Sequence, residues 1–310
     1  MNLSIYVENV DRLHAALDSR RDSLFDSLFD SIRFGSEFCE WKLPTLESLR
    51  QAFAATVERG KRFVYVTPRL SEAKLRQVES HLAQLDTWVT PPDEVRVVAN
   101  DLGTVALLQS GDYANLRVQW GRQLTSVPAR AHPPFDAMLS REGKLASTFG
   151  RKVFETTDLN YAPTMHLLRD SGVAGVDIDW VPKCFSASKV VARQGLELAV
   201  HSHLVLVTLT RKCHTARFLG EQTPDLCTRP CDRRVFRLEQ ASLGRLYLMG
   251  NAVVDKIEPS RRDFQALQKI GATEIVVSAN PLLLSDGNDL GSLLDTFNEW
   301  IVPRGLSRLF

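Results

Sequence analysis

The residues with the most specific chemistry in this sequence are five cysteines: Cys39, Cys184, Cys213, Cys227 and Cys231. Three of them share one polar stretch, RKCHTARFLGEQTPDLCTRPCDRR, with the spacing C-x13-C-x3-C. Thiolates bind zinc and iron–sulfur clusters. Structural zinc is usually held by close C-x2-C knuckles, and the chain has none. A cluster is larger than one ion, so its ligands tolerate irregular spacing and a remote fourth cysteine. A lone cysteine is often a small buried hydrophobe. That role suits Cys227 and Cys231 poorly, because DLCTRPCDRR offers little apolar material to pack with. Arg229, Arg233 and Arg234 favour thiolate and offset an anionic cluster, or simply face solvent. Cys184, after Pro182-Lys183, reads as a spare thiol.

These thiols need a frame, and the chain supplies an α/β one. Strand-like runs at 3–9, 31–35, 62–68, 95–101, 115–121, 176–181, 196–207, 235–239, 245–250 and 273–279 alternate with helix-like runs. The helical periodicity is clearest at Asp11–Phe29, Thr45–Arg59, Glu72–Leu85 (with Ser71 as its cap), Leu102–Ser110, Arg261–Lys269 and Leu290–Trp300. Such alternation predicts a parallel sheet, and about eight strands over this length favour a TIM-barrel-like closed barrel. No G-x-G-x-x-G or P-loop marks a strand-to-helix turn, which argues against a dinucleotide-binding fold. A single barrel-like domain over 1–310 is expected, with an inserted loop at 122–150, rich in Pro, Ser, Arg and Gly, and a cysteine-rich loop at 213–234. Cys39 follows the strand 31–35, and Cys213 follows the run ending near Val207. Both positions lie just past strand C-termini, where parallel barrels place their chemistry.

Composition narrows the function classes. The 310 residues are 44% hydrophobic and 24% charged, with 38 Lys and Arg against 37 Asp and Glu, a net charge of +1. That balance gives no nucleic-acid or membrane signal by itself. The start MNLSIYVENVDRLH has neither the basic nor the apolar part of a signal peptide, and no apolar run nears the ~20 residues that span a bilayer. A cytoplasmic protein without membrane insertion is expected, in which five cysteines are not structural disulfides. No Ser–His–Asp ordering and no H-E-x-x-H is present, so proteolysis has no support. His201 and His203, at spacing two on an apolar run, are expected on one face of a strand. Asp101 ends a strand and is either a catalytic carboxylate or the cap of the next helix.

The cysteine stretch resembles the signature of the UbiV-like proteins, in the group first described as collagenase-like peptidases. The resemblance extends, in order, through IRFGSEFCEWK, VVANDLG, TDLNYAPTMHLLRDSGV and HSHLVLVTLTRKC. It implies a 4Fe–4S cluster held by Cys39, Cys213, Cys227 and Cys231, with Cys39 as the remote ligand. It implies an oxygen-independent hydroxylation of ubiquinone-ring precursors, carried out with a UbiU-like homologue in a heterodimer. Prephenate is the implied hydroxyl donor, and a UbiT-like lipid carrier the implied source of substrate. Asn160, Tyr161 and His203 match positions near the family's substrate pocket, and Asp179 or Asp177 stands where relatives carry a carboxylate. The chain departs from the family in the length of 122–150, in IDWVPKCF before Cys184, and past Trp300. Two further readings follow from the same resemblance: an RNA-base hydroxylation factor, and a cluster-bearing subunit whose partner holds the catalytic residues.

Overall fold

A computed structural model describes residues 1–17, 29–125, 156–220, 227–240, 244–284 and 290–301. Eight parallel strands close a barrel. They are β1 (Asn2–Val7), β2 (Ser31–Gly35), β3 (Arg62–Val66), β4 (Val95–Ala99), β5 (Leu116–Trp120), β6 (Gly175–Asp179), β7 (Glu197–His201) and β12 (Glu274–Ser278). Their order around the barrel is β1-β12-β7-β6-β5-β4-β3-β2. Nearly every residue of these strands is buried, as in β1 and β2, because a parallel sheet wrapped by helices has no solvent face.

Contacts gather the chain into two compact units, Met1–Gln119 with Thr273–Phe310, and Trp120–Ala272. The first carries α1 (Val10–Leu17), α2 (Leu46–Glu58), α3 (Glu72–Trp88) and α4 (Leu102–Ser110). Thr45 starts α2 by accepting the Ser48 N–H at 3.1 Å, and Leu49, Ala52 and Thr56 form its buried stripe. Ser71 precedes α3 as expected but makes no side-chain cap. Instead its own N–H donates to Glu40 Oε2 at 2.6 Å. Gly35 ends β2 at φ +135, where a Cβ would collide with the Val66 carbonyl; only glycine lets the chain leave β2 here towards Cys39. At the N-terminal ends of the strands, Arg33 Nε donates to Glu274 Oε1 at 2.9 Å, and the Ser4 hydroxyl bonds both Glu274 and Ser31. The carboxylate is thereby paired and hydrogen-bonded, which offsets much of its burial cost. This unit also holds α9 (Pro281–Leu284) and α10 (Leu290–Ile301).

The second unit carries α5 (Ala162–Asp170), α6 (Phe185–Arg193), α7 (His214–Phe218) and α8 (Arg261–Ile270). Ser260 caps α8 through the Asp263 N–H at 3.1 Å, and Gly271, at φ +86, ends it. This unit also contains a four-stranded antiparallel sheet built from β8 (Leu204–Leu209), β9 (Phe236–Gln240), β10 (Gly244–Met249) and β11 (Ala252–Lys256), in the order β8-β11-β10-β9. The apolar run 196–207 is therefore two strands. It breaks at Ser202-His203, where His203 takes φ +54. His203 thus stands at a corner, not on the strand face it was expected to share with His201. Runs 235–239 and 245–250 belong to this second sheet, so Cys213 follows β8, outside the barrel. The expected insertion at 122–150 lies, past Thr125, outside the described residues, as do 221–226 of the cysteine loop.

Candidate functional site

The buried charges of the second unit collect where β6 and β7 end. GVDID places Asp177 and Asp179 two residues apart, hence on one side of β6, with exposures of 0% and 5%. Asp177 Oδ2 lies 3.0 Å from His201 Nε2. Thr125 Oγ1 donates to the Asp177 carbonyl at 2.6 Å. Asp179 Oδ1 accepts from Arg122 Nη1 at 2.7 Å and from the Leu206 N–H at 3.1 Å. Arg122 Nη1 also donates to the Leu204 carbonyl at 2.7 Å, so one guanidinium ties the end of β6 to the start of β8. Arg122 was hidden from sequence reasoning because it opens a stretch that reads as a loop.

His203 completes the group. It is buried, its Nδ1 lies 3.4 Å from Ser202 Oγ, and its Nε2 has no hydrogen-bond partner among the described residues. Burial pushes its pKa down to about 3, helped by the positive charges of Arg122, Lys256 and His201. The ring is therefore neutral near pH 7, and Nε2 can hold a proton for, or hydrogen-bond, a ligand atom. A left-handed backbone at a non-glycine residue is the kind of strain that collects at functional sites.

The other candidates are placed as follows. Asp101 caps α4: its carboxylate accepts from the Thr104 N–H and the Thr104 hydroxyl, both at 2.9 Å. Asn160 ends a short 3-10 turn (Asp158–Asn160) and is exposed, and Tyr161, 65% exposed, precedes α5. A cavity of about 610 Å³ in the first unit, lined partly by Phe53, Phe63 and Trp88, opens among the N-terminal ends of β2, β3 and β4. Two of its carboxylates are paired, Glu94 with Arg117 and Glu274 with Arg33. Its end of the strands is the one that parallel barrels use for stability.

None of the five cysteines forms a disulfide. Cys213 precedes α7, and its Sγ accepts the Ala216 N–H at 3.4 Å. Cys231 is buried in the 3-10 turn Pro230–Asp232. Both converge on the Gly250-Asn251 turn between β10 and β11. The Thr215 N–H donates to the Gly250 carbonyl at 3.1 Å, and Cys231 Sγ lies 3.5 Å from where a Gly250 Cβ would sit. Cys227 comes two residues before Arg229, whose left-handed φ of 56 bends the chain into the turn bearing Cys231. Cys39, in the first unit, precedes the 3-10 turn Glu40–Lys42, and its carbonyl accepts the Ser36 hydroxyl at 2.7 Å. Cys184 is buried against Val181 and Val205. Among the described residues, no three His, Cys, Asp or Glu side chains stand together as a metal-holding group. Cysteine sulfur is the donor type that a cluster takes, and Cys213 Sγ, which caps α7 by accepting the Ala216 N–H, is the kind of sulfur that can also accept such bonds as a ligand.

No family model matches the chain, and no curated protein matches it. Among solved structures it is similar to a U32 peptidase, at 14% identity over 90% of this chain and 92% of that one, TM-score 0.42. It is similar to the dihydropteroate synthase of Thermus thermophilus, at 11% identity over 96% and 93%, TM-score 0.40. It is also similar to an intracellular xylanase of Thermoanaerobacterium saccharolyticum, at 8% identity over 93% and 90%, TM-score 0.43. The barrel itself rests on the strand pairing of this chain.

Proposed function

We propose that the chain is the iron–sulfur component of an oxygen-independent hydroxylase acting on ubiquinone-ring precursors, paired with a UbiU-like homologue in the cytoplasm. The observation that carries this reading is the Gly250-Asn251 turn, on which the segments of Cys213 and Cys231 converge, with one thiol already accepting a backbone N–H. Cys213, Cys227 and Cys231 would hold the group, and the resemblance adds Cys39, which follows β2, as the fourth ligand. A 4Fe–4S cluster bound there supplies one-electron chemistry. The rest of the work falls to the chain's own side chains. Arg122 pairs with Asp179 and ties β6 to β8. Asp177 orients His201. His203, neutral and with no partner for Nε2 among the described residues, offers a hydrogen bond to a ligand atom at the corner after β7. Prephenate as hydroxyl donor and a UbiT-like carrier of the isoprenoid substrate belong to the same proposal.

A deletion strain tests it. Ubiquinone should fail to form only when oxygen is absent, and a prenylated ring lacking one hydroxyl should accumulate. Co-purification should return a UbiU-like homologue. Normal anaerobic quinone together with a missing hydroxyl on an RNA base would replace this reading with an RNA-modifying one.

A further inference from the structure

The near-neutral net charge of the chain conceals a local excess. Residues 211–234 contain six Lys or Arg (Arg211, Lys212, Arg217, Arg229, Arg233 and Arg234) against three carboxylates. All six basic side chains are exposed, and Asp232, the one carboxylate of this stretch among the described residues, is half-buried. Their segments are gathered around one turn. The Thr210 N–H donates to the Asn251 carbonyl at 3.0 Å, and Asn251 Nδ2 returns a bond to the Thr210 carbonyl at 3.0 Å. The Thr215 N–H holds α7 to Gly250, and Cys231 packs beside the same glycine. The segments that carry these cations therefore meet at one turn. Two apolar side chains are exposed on the same segments, Phe218 at 67% and Leu219 at 40%. Phe218 leans on Phe236 of β9, ring centroids 5.9 Å apart, which fixes its position.

We infer that this part of the chain binds an anionic lipid bilayer peripherally, with Phe218 and Leu219 entering the headgroup region and the arginines and Lys212 contacting acidic headgroups. Adjacent exposed aromatic and aliphatic side chains on segments rich in exposed cations match the two halves of such an interface. Single-stranded RNA, the other polyanion to weigh, is held on successive stacking aromatics. Leu219 offers no stacking face, and Phe218 is the one large exposed aromatic of this stretch among the described residues. No helix among the described residues is long and apolar enough to cross a membrane, so the contact is with the surface. The inference does not depend on a cluster being bound, and its failure would leave the iron–sulfur reading standing.

Flotation of the full chain with phosphatidylcholine vesicles, with and without phosphatidylglycerol, tests it. The protein should float with phosphatidylglycerol vesicles at low salt, stay down with pure phosphatidylcholine, and be released by high salt. Phe218→Ser should weaken the partition about tenfold, and Arg233→Glu with Arg234→Glu at least as much, since each cation lost near an anionic surface is worth about fivefold. Arg233 and Arg234 are exposed, so the thermal melt of that variant should match the wild type. The inference is overturned if anionic vesicles are bound no better than neutral ones. It is equally overturned if both variants float like the wild type, or if a single-stranded RNA oligonucleotide displaces the protein from the vesicles at equal charge concentration.

Discussion

Cys184 and Cys213 lie in the same compact unit and meet opposite surroundings. Cys184 is 2% exposed among Val181, Val205 and Ile257, and its Sγ donates to the Thr156 carbonyl at 3.8 Å. A sulfur that donates carries its proton. Cys213 is half-exposed among Arg211, Lys212 and His214, and its Sγ accepts a backbone N–H. One thiol is built into packing; the other caps α7 as an acceptor, a role open to a ligand sulfur as well. The difference teaches that two thiols of one unit can have opposite hydrogen-bond directions, which spacing alone does not reveal.

The comparison can be broken most decisively at the ligands. Cys213→Ala or Cys231→Ala should lose the cluster outright, and metal analysis after anaerobic preparation reads this directly. Arg122→Ala should have the next largest effect. It leaves Asp179 buried without its partner, at a cost of about 3–5 kcal/mol in urea unfolding, while iron content stays unchanged in whatever fraction folds. Cys184→Ala should cost about 1–2 kcal/mol for a small core void and should keep its iron. If Cys184→Ala loses metal instead, the sorting of the two thiols is wrong.

A further effect, spread over pH, concerns His203. Its pKa lies near 3 in the folded chain, against an ordinary 6.5. The unfolded state therefore binds the extra proton first as pH falls through 6.5, and the stability linked to this neutral ring is lost progressively towards pH 3. The slope contributed is at most about 1.4 kcal/mol per pH unit. His81, hydrogen-bonded to the Tyr65 hydroxyl at 2.8 Å and lowered by burial to about 4, adds to the slope with the same sign. His203→Asn, which suits the left-handed corner, should flatten the fall in urea midpoint between pH 7 and pH 5 but leave the His81 part. An unchanged slope would show that His203 is already accessible to protons.

Much of the barrel was legible in the residues. Eight of the apolar runs are barrel strands, and the helix expected at Arg261–Lys269 runs one residue further, to Ile270. The antiparallel sheet was not read, although its signal was present. Three residues separate β9 from β10, and only Gly250-Asn251 separates β10 from β11. Such connections allow hairpins and exclude parallel crossovers. The break at His203 was missed although His201-Ser202-His203 interrupts the run, because apolar residues flank it on both sides and the histidines read as one strand face. The carboxylates Asp177 and Asp179 could be picked out from β6, but their partner Arg122 lies 57 residues from Asp179, and nothing local pairs them. Asp101 was open between catalysis and capping, and the Thr104 bonds give it the cap.

The most direct test is iron and acid-labile sulfide per chain in anaerobically purified protein, measured side by side for the wild type, Cys184→Ala and Cys213→Ala. About four irons and four sulfides are expected in the wild type and in Cys184→Ala, and essentially none in Cys213→Ala. Stoichiometric zinc without iron in the wild type, or iron that survives Cys213→Ala and disappears in Cys184→Ala, would contradict the account.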